Sequence, residues 1–188
     1  MRRIIFSVVF VFLLIGTNQA QVLFNTAQTL QKGSFSIGIE PVYADFGDGD
    51  FAFFFHGGYG LGKSSDLELN LGFGWDEAYI GLNYEKTVYA GKPIVSVMGG
   101  AHYWNYFGLD LGSTVSFPIG NLYISTGLDM DIVFGEDAND ELEIWAPLWL
   151  PINLEVYLKK NISLVFEGNI KLTDHAFTTV GGGINIYF

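Results

Sequence analysis

The chain contains no cysteine, which excludes disulfides, thiolate metal sites and a cysteine nucleophile. Arginine is almost as scarce, because Arg2 and Arg3 are followed by no other arginine in the sequence. Beyond position 20, seven lysines stand against twenty acidic residues, a net charge of −13. Such acidity repels phosphate backbones, so nucleic acid is not an expected partner.

Long apolar runs are also scarce. The longest, residues 4–15, is shorter than the roughly 20 residues that a membrane-spanning helix needs. It follows Arg2 and Arg3 and precedes a short segment that ends on Ala20, which is the pattern of a secretory signal peptide. The sequence predicts a signal peptide over residues 1–20, cleaved after Ala20, with an uncleaved anchor as the alternative. The remaining chain is expected to contain no transmembrane helix.

What the chain has instead is a series of short segments in which apolar and polar residues alternate. Residues 161–172 (NISLVFEGNIKL) show the period of two that gives a strand one apolar and one polar face. Most segments have about the nine to eleven residues that a tilted transmembrane strand requires. Ten segments are predicted, at residues 34–44, 51–59, 66–75, 79–88, 94–103, 107–117, 122–134, 142–158, 162–172 and 177–188.

This pattern predicts an all-β fold, an antiparallel up-and-down transmembrane β-barrel of ten strands. The barrel is expected over residues 34–188, after a periplasmic lead-in at 21–33. Eight or twelve strands are the alternatives, because the long eighth segment contains Pro147 and Pro151. The connections alternate between tight turns, most of which contain lysine, and loops that are mostly acidic. Tight turns are periplasmic in outer-membrane barrels, so we expect the acidic loops outside the cell.

Alternation also assigns charged side chains to a face of the barrel. A lysine facing lipid at the bilayer midplane costs about 2–4 kcal/mol. None of the acids takes the outward parity, and Lys86 is the only lysine that does. A soluble barrel would show the reverse arrangement. Asp66 takes the inward parity with the other acids. The predicted lumen-facing residues are Glu40, His56, Glu68, Glu85, His102, Asp110, Asp129, Asp131, Glu143, Glu155, Glu167 and Lys171.

Lys171 is the only inward lysine of this set, and Glu143 is its expected neighbour. Closely held carboxylates cannot all be charged in a dry interior. Either water and mobile cations fill part of the lumen, or several acids are protonated. An acidic, arginine-free lumen is compatible with a polar plug of structural role or with a narrow cation-permeable channel. Inward aromatic residues favour the plug. They are Phe54, Tyr79, Tyr123, Trp145, Trp149 and Tyr157.

An outer-membrane enzyme acting on lipid or peptide is a further alternative, because His102 lies near acids toward the loop end. Histidine beside carboxylates is expected by chance in so acidic a chain, and no inward serine lies clearly at that rim. We therefore predict no enzyme, no catalytic residue, no cofactor and no metal ligand in the barrel. The acidic loops are candidates for binding divalent cations that bridge to lipopolysaccharide.

Residues 32–38 (KGSFSIG), the acidic loops and the final aromatic residue, Phe188, carry a family resemblance. The chain resembles the small outer-membrane β-barrel proteins of Gram-negative bacteria, and is similar to uncharacterised barrels of the Bacteroidetes. The resemblance covers the signal peptide and essentially the whole remaining chain. It implies the bacterial outer membrane as the location, insertion by the barrel-assembly machinery, and membrane lipids with lipopolysaccharide as partners.

Overall fold

The computed structural model describes residues 26–45, 50–74, 77–136 and 141–188. The predicted signal peptide, the first part of the lead-in, the end of the third predicted segment at Trp75 and the centres of two acidic loops lie outside these residues. The strands are β1 (Phe35–Ala44), β2 (Asp50–Gly60), β3 (Ser65–Phe73), β4 (Tyr79–Ala90), β5 (Ile94–Trp104), β6 (Tyr106–Ile119), β7 (Leu122–Glu136), β8 (Leu142–Trp145), β9 (Leu148–Lys159), β10 (Ile162–Lys171) and β11 (Thr179–Tyr187). No helix in this part of the chain is long and apolar enough to cross a membrane.

Each strand pairs antiparallel with its neighbours, and β1 pairs with β11 to close the ring. β8 and β9 both pair with β7, so they are two parts of one interrupted strand. Counting β8 and β9 as one strand, the ring has ten strands. The predicted ten-stranded antiparallel up-and-down barrel is confirmed. Pro147 lies at the interruption, where its missing N–H group costs no ladder hydrogen bond. Pro151 lies within β9, opposite Asn169, and causes no second break.

The period of two places large apolar side chains on the outside of the barrel. In β4, Ile80 and Leu82 are half exposed on the outer face. Asn83, the next residue along the strand, points to the inner face and is almost fully buried. Aromatic residues pair across strands near both ends of the outer face. Phe35 and Tyr59 have ring centroids 4.8 Å apart near the turn end. Near the loop end, Tyr43 and Phe51 have centroids 5.1 Å apart.

Short connections join the strands at the end of the barrel that we call the turn end. Gly120 and Asn121 form the turn between β6 and β7, and Gly120 has a φ of +66°. Two-residue hairpin turns require such positive φ values, which glycine adopts at no steric cost. The other end, where the acidic connections lie, is the loop end.

Candidate functional site in the barrel interior

The loop end of the interior is filled by a cluster of apolar and aromatic side chains. Trp149 and Phe177 pack with ring centroids 6.1 Å apart, and Trp149 Nε1 donates a 2.8 Å hydrogen bond to Phe177 O. Phe54 and Tyr79 pack edge to face with centroids 5.5 Å apart. We call this set the aromatic cluster. Its members are Val42, Ala44, Ala52, Phe54, Tyr79, Trp104, Trp149, Ala176 and Phe177.

Below the aromatic cluster, His56 of β2 lies among acceptor groups. Its Nε2 is 3.4 Å from Glu40 Oε2, and its Nδ1 is 3.6 Å from Glu68 Oε1. The same Nδ1 lies 2.6 Å from Asn70 Oδ1. Glu40, Asn70 and His56 are all buried. An imidazolium carries a proton on both nitrogens, so the protonated form of His56 matches this set of acceptors.

A second histidine cluster lies on β5, β6 and β7. His102 Nδ1 of β5 forms a hydrogen bond with Asp110 Oδ1 of β6. Asp110 is the direct cross-strand partner of Asp131 on β7. The Tyr79 ring stacks on the His102 imidazole, with centroids 5.5 Å apart and an interplanar angle of 21°. The group is therefore held directly beneath the aromatic cluster.

Nearer the turn end, carboxyl groups accept hydrogen bonds from hydroxyls. Glu155 Oε1 accepts from Ser163 Oγ at 2.6 Å and from Tyr187 OH at 2.5 Å. The rings of Tyr157 and Tyr187 stack with centroids 5.7 Å apart. Neutral donors thus replace the arginine and lysine side chains that would otherwise be expected to pair with buried carboxyl groups.

The lead-in enters the turn end of the barrel. Ala27 is fully buried, and its N donates a 2.8 Å hydrogen bond to Ser116 Oγ. Leu30 N donates a 2.7 Å hydrogen bond to Asp66 Oδ2. Thr87 Oγ1 donates to Ala27 O at 3.0 Å. Three strands, β3, β4 and β6, therefore fix residues 26–33 across this opening.

A small cavity remains between the lead-in and the polar interior. Its volume is about 50 Å³, and its lining includes Leu30, His56, Glu68, Glu85 and Glu155. A buried water needs roughly 10–15 Å³ of such volume, so the cavity has room for a few water molecules. It is too small for an organic substrate.

Most of the predicted lumen-facing residues lie in this interior. Those with exposures of at most 8% are Glu40, His56, Asp66, Glu85, His102, Asp110, Asp129, Asp131, Glu155 and Glu167, and Glu68 is 19% exposed.

Glu143 and Lys171 are corrections to the prediction, because both are exposed at the loop end. Glu143 belongs to β8, which pairs with β7 alone, so this hairpin rises beyond the ring and has no interior to face. Lys171 is the last residue of β10. It is directly opposite the buried Trp149, so it keeps the predicted inner side of the sheet but lies at the exposed rim. Among the described residues no salt bridge joins Lys171 to Glu143 or to another acid.

Sequence reasoning passed over the neutral polar residues of the interior. Asn70, Asn83, Ser116 and Ser125 are buried, with Ser116 Oγ and Ser125 Oγ 2.6 Å apart. Their inward parity was the signal that could have identified them, because a polar residue on the inner face needs a hydrogen-bond partner there.

The fold and the interior together define a closed antiparallel β-barrel with an apolar outer face and buried polar side chains inside. No protein-family model and no curated protein matches the sequence. Among solved structures, the chain is similar to a de novo designed transmembrane β-barrel, with a TM-score of 0.45 and 10% identity over 86% of this chain and all of that one.

Two natural barrels show a weaker similarity. One is the N-terminal β-barrel domain of Pseudomonas aeruginosa OprF, with a TM-score of 0.37 and 15% identity over 85% of this chain and all of that one. The other is Neisserial surface protein A (NspA), with a TM-score of 0.38 and 9% identity over 82% and 96% of the respective chains. These values are too low to support an inference about function, and the relation to Bacteroidetes barrels stays a prediction.

Proposed function

We propose that this chain is an integral β-barrel protein of the bacterial outer membrane, with an acidic, arginine-free lumen that is plugged and has a structural, non-catalytic role. The observation that carries the proposal is that side chains close the loop end, while the lead-in narrows the turn end beside an open pocket of about 670 Å³. The aromatic cluster occupies the loop end, and the lead-in is hydrogen-bonded across the turn end.

The outer face supports the membrane location. Ile37, Phe53, Leu82, Leu128 and Phe166 are each at least half exposed, and they come from different strands around the ring. Soluble monomers rarely expose large contiguous apolar surfaces, whereas a bilayer stabilises them. Insertion by the barrel-assembly machinery is part of the same proposal.

Planar-bilayer recording of the refolded chain in KCl tests the plug. We expect no current above that of the bilayer alone, because side chains occupy the loop end and the lead-in occupies the turn end. A matched comparison is the Trp149→Ala, Phe177→Ala variant that begins at residue 32. It is expected to conduct if those two groups close the barrel, once its folding has been verified by its heat-dependent gel mobility.

The alternative is a narrow cation-permeable channel, favoured by the interior carboxyl groups, because acidic rings attract cations. A current through the native chain would reject the plug. Its reversal potential across a KCl gradient would then separate cation selectivity, which the acidic interior favours, from anion selectivity, which would contradict the electrostatic argument.

A catalytic role is less well supported, since His102 and Asp110 are buried beneath the aromatic cluster. Lipid and peptide turnover assays with the native chain and the His102→Ala variant test this part. Turnover that the substitution abolishes would contradict the non-catalytic proposal.

The acidic loops extend the proposal to lipopolysaccharide, whose phosphates a bound divalent cation could bridge to loop carboxylates. Asp174 lies exposed in the last of these loops. We expect lipopolysaccharide to co-purify with the folded barrel and to be lost on adding a chelator. Binding that is indifferent to the chelator would remove the cation bridge.

A further inference from the structure

Three interior side chains from consecutive strands converge on the same arc of the barrel. They are His102 of β5, Asp110 of β6 and Asp131 of β7. One donor atom from each lies within 4.8 Å of the other two. All three residues are buried, with exposures of 5%, 0% and 1%. Asp110 and Asp131 are directly opposite each other in the β6–β7 ladder, so their carboxyl groups are held together by the fold.

Among the described residues, the salt bridge within this cluster is the one between His102 and Asp110, and none reaches Asp131. Asp131 Oδ1 is buried and has no hydrogen-bond partner among the described residues. His102, the potential cation of the group, already contacts Asp110. Carboxylates placed opposite each other repel, and a buried charge without a partner is strongly destabilising. The arrangement therefore calls either for a proton shared between the carboxyl groups or for a bound cation.

If a cation is the solution, the donor set indicates which kind of ion would bind. One imidazole nitrogen with two carboxylate oxygens is a combination that Zn²⁺ and other divalent transition metals accept, whereas Ca²⁺ and Mg²⁺ prefer oxygen ligands alone. Ligand atoms around a tetrahedral zinc ion lie about 3.4 Å apart, given metal–ligand distances of about 2.0–2.2 Å. The three donors lie within 4.8 Å of one another, and a bound ion would take the place of the hydrogen bond between His102 and Asp110.

Neighbouring residues orient His102 and Asp110, as the residues around a metal site orient its ligands. The Asn83 amide, oriented with its nitrogen toward the neighbouring acceptors, donates to Asp110 Oδ2 at 2.9 Å. Tyr79 stacks on one side of the imidazole. Gly108 leaves space for the ring, because a Cβ there would collide with His102 Cε1 and Nε2.

We propose that His102, Asp110 and Asp131 bind one divalent transition-metal ion, such as Zn²⁺, which cross-links β5, β6 and β7 inside the barrel. Because the site is buried, the ion enters while the barrel folds. The proposal is independent of conductance, since a plugged barrel and a conducting one could both hold the ion.

The test uses residues 21–188 without an affinity tag, refolded in detergent with ZnCl₂ or with EDTA and then freed of unbound metal. Elemental analysis is expected to find about one zinc per folded chain after refolding with ZnCl₂. The Asp131→Asn and His102→Gln variants are expected to retain only background zinc. His175→Ala, which removes the exposed histidine of the last loop, is the matched control and is expected to keep the full amount.

Two further measurements keep the test decisive if a variant folds poorly. X-ray absorption of the zinc-loaded native chain is expected to show nitrogen and oxygen ligands with a single imidazole. Asn83→Ala is expected to weaken zinc affinity about ten- to hundredfold, measured by competition with a chromophoric chelator. Background zinc in the native chain, or two imidazoles on the metal, would overturn the proposal. Full zinc binding by folded Asp131→Asn would overturn it as well.

Discussion

At the scale of the residue, the interior is built from side chains that each depend on a particular neighbour. Trp149 shows this most directly, because its ring packs on the Phe177 ring and its indole N–H donates a hydrogen bond to Phe177 O. We expect Trp149→Ala to lower the free energy of unfolding by about 3–5 kcal/mol, the usual range for truncating a buried large aromatic. Urea titration of the refolded barrel in vesicles measures this.

Ile152→Ala is the control for Trp149, because Ile152 lies on the outer face of the same strand and is 44% exposed. Its truncation leaves no cavity in the interior. If Ile152→Ala lowered the free energy of unfolding as much as Trp149→Ala does, packing in the aromatic cluster would stabilise the barrel no more than contacts on the outer face.

Gly108 makes a second prediction at this scale. A methyl group at this position would occupy the space of the His102 ring, so Gly108→Ala is expected to displace the imidazole from Asp110. The His102 ring proton resonances in NMR spectra of the detergent-solubilised chain are expected to shift, while those of His56 stay in place. Gly57→Ala is a suitable control, because a Cβ there meets nothing closer than 4.0 Å. Unchanged His102 resonances would contradict the close fit.

At the scale of the element, a small set of hydrogen bonds holds the lead-in at the turn end. Leu30 N is held by Asp66 Oδ2, and a hydrogen bond of this kind contributes about 0.5–1.5 kcal/mol. Asp66→Ala is therefore expected to speed amide exchange at Leu30 by about two- to tenfold, as measured by hydrogen–deuterium exchange.

Asp174→Ala provides the comparison for the lead-in, since it also removes one acid but lies exposed in the last loop. Its Leu30 exchange is expected to match that of the native chain. Equal acceleration by both substitutions would mean that net charge, rather than the Asp66 hydrogen bond, fixes the lead-in.

The strands themselves were predictable because the alternation of apolar and polar residues along about ten positions does not depend on how a strand pairs with its neighbours. The prediction for residues 162–172 matches Ile162–Lys171 closely. The interior contacts were not predictable in this way. Parity assigns Asp110 and Asp131 to the inner face, but only the register of the β6–β7 ladder puts them opposite each other. Glu143 and Lys171 were wrongly expected in the lumen, because parity shows the side of a strand but not how far along it the ring encloses the side chains.

At the scale of the whole molecule, the distribution of apolar surface decides the environment in which the barrel is stable. Leu82 is 53% exposed on the outer face of β4. If that face meets lipid, Leu82→Lys is expected to cost about 2–4 kcal/mol near the bilayer midplane. Folding titrations into phospholipid vesicles measure the change. Asn121→Lys, in an exposed turn between β6 and β7, is the control, and an equally small effect of both substitutions would argue against membrane insertion.

The closure of the ring has a consequence for how the molecule forms. Phe35 N donates to Phe188 O and Phe188 N donates to Phe35 O, at 3.2 and 2.8 Å, so the first strand's partner is the last one in the sequence. With β8 and β9 counted as one strand, all the other strand pairs join strands that are neighbours in sequence. The β1–β11 pair forms only when a loop of nearly the full chain closes, which is slow. Until it does, β1 and β11 present open edges on which a second chain could add a strand. Refolding at high protein concentration is therefore expected to lower the yield of monomeric barrels and to raise that of aggregates joined at these strand edges.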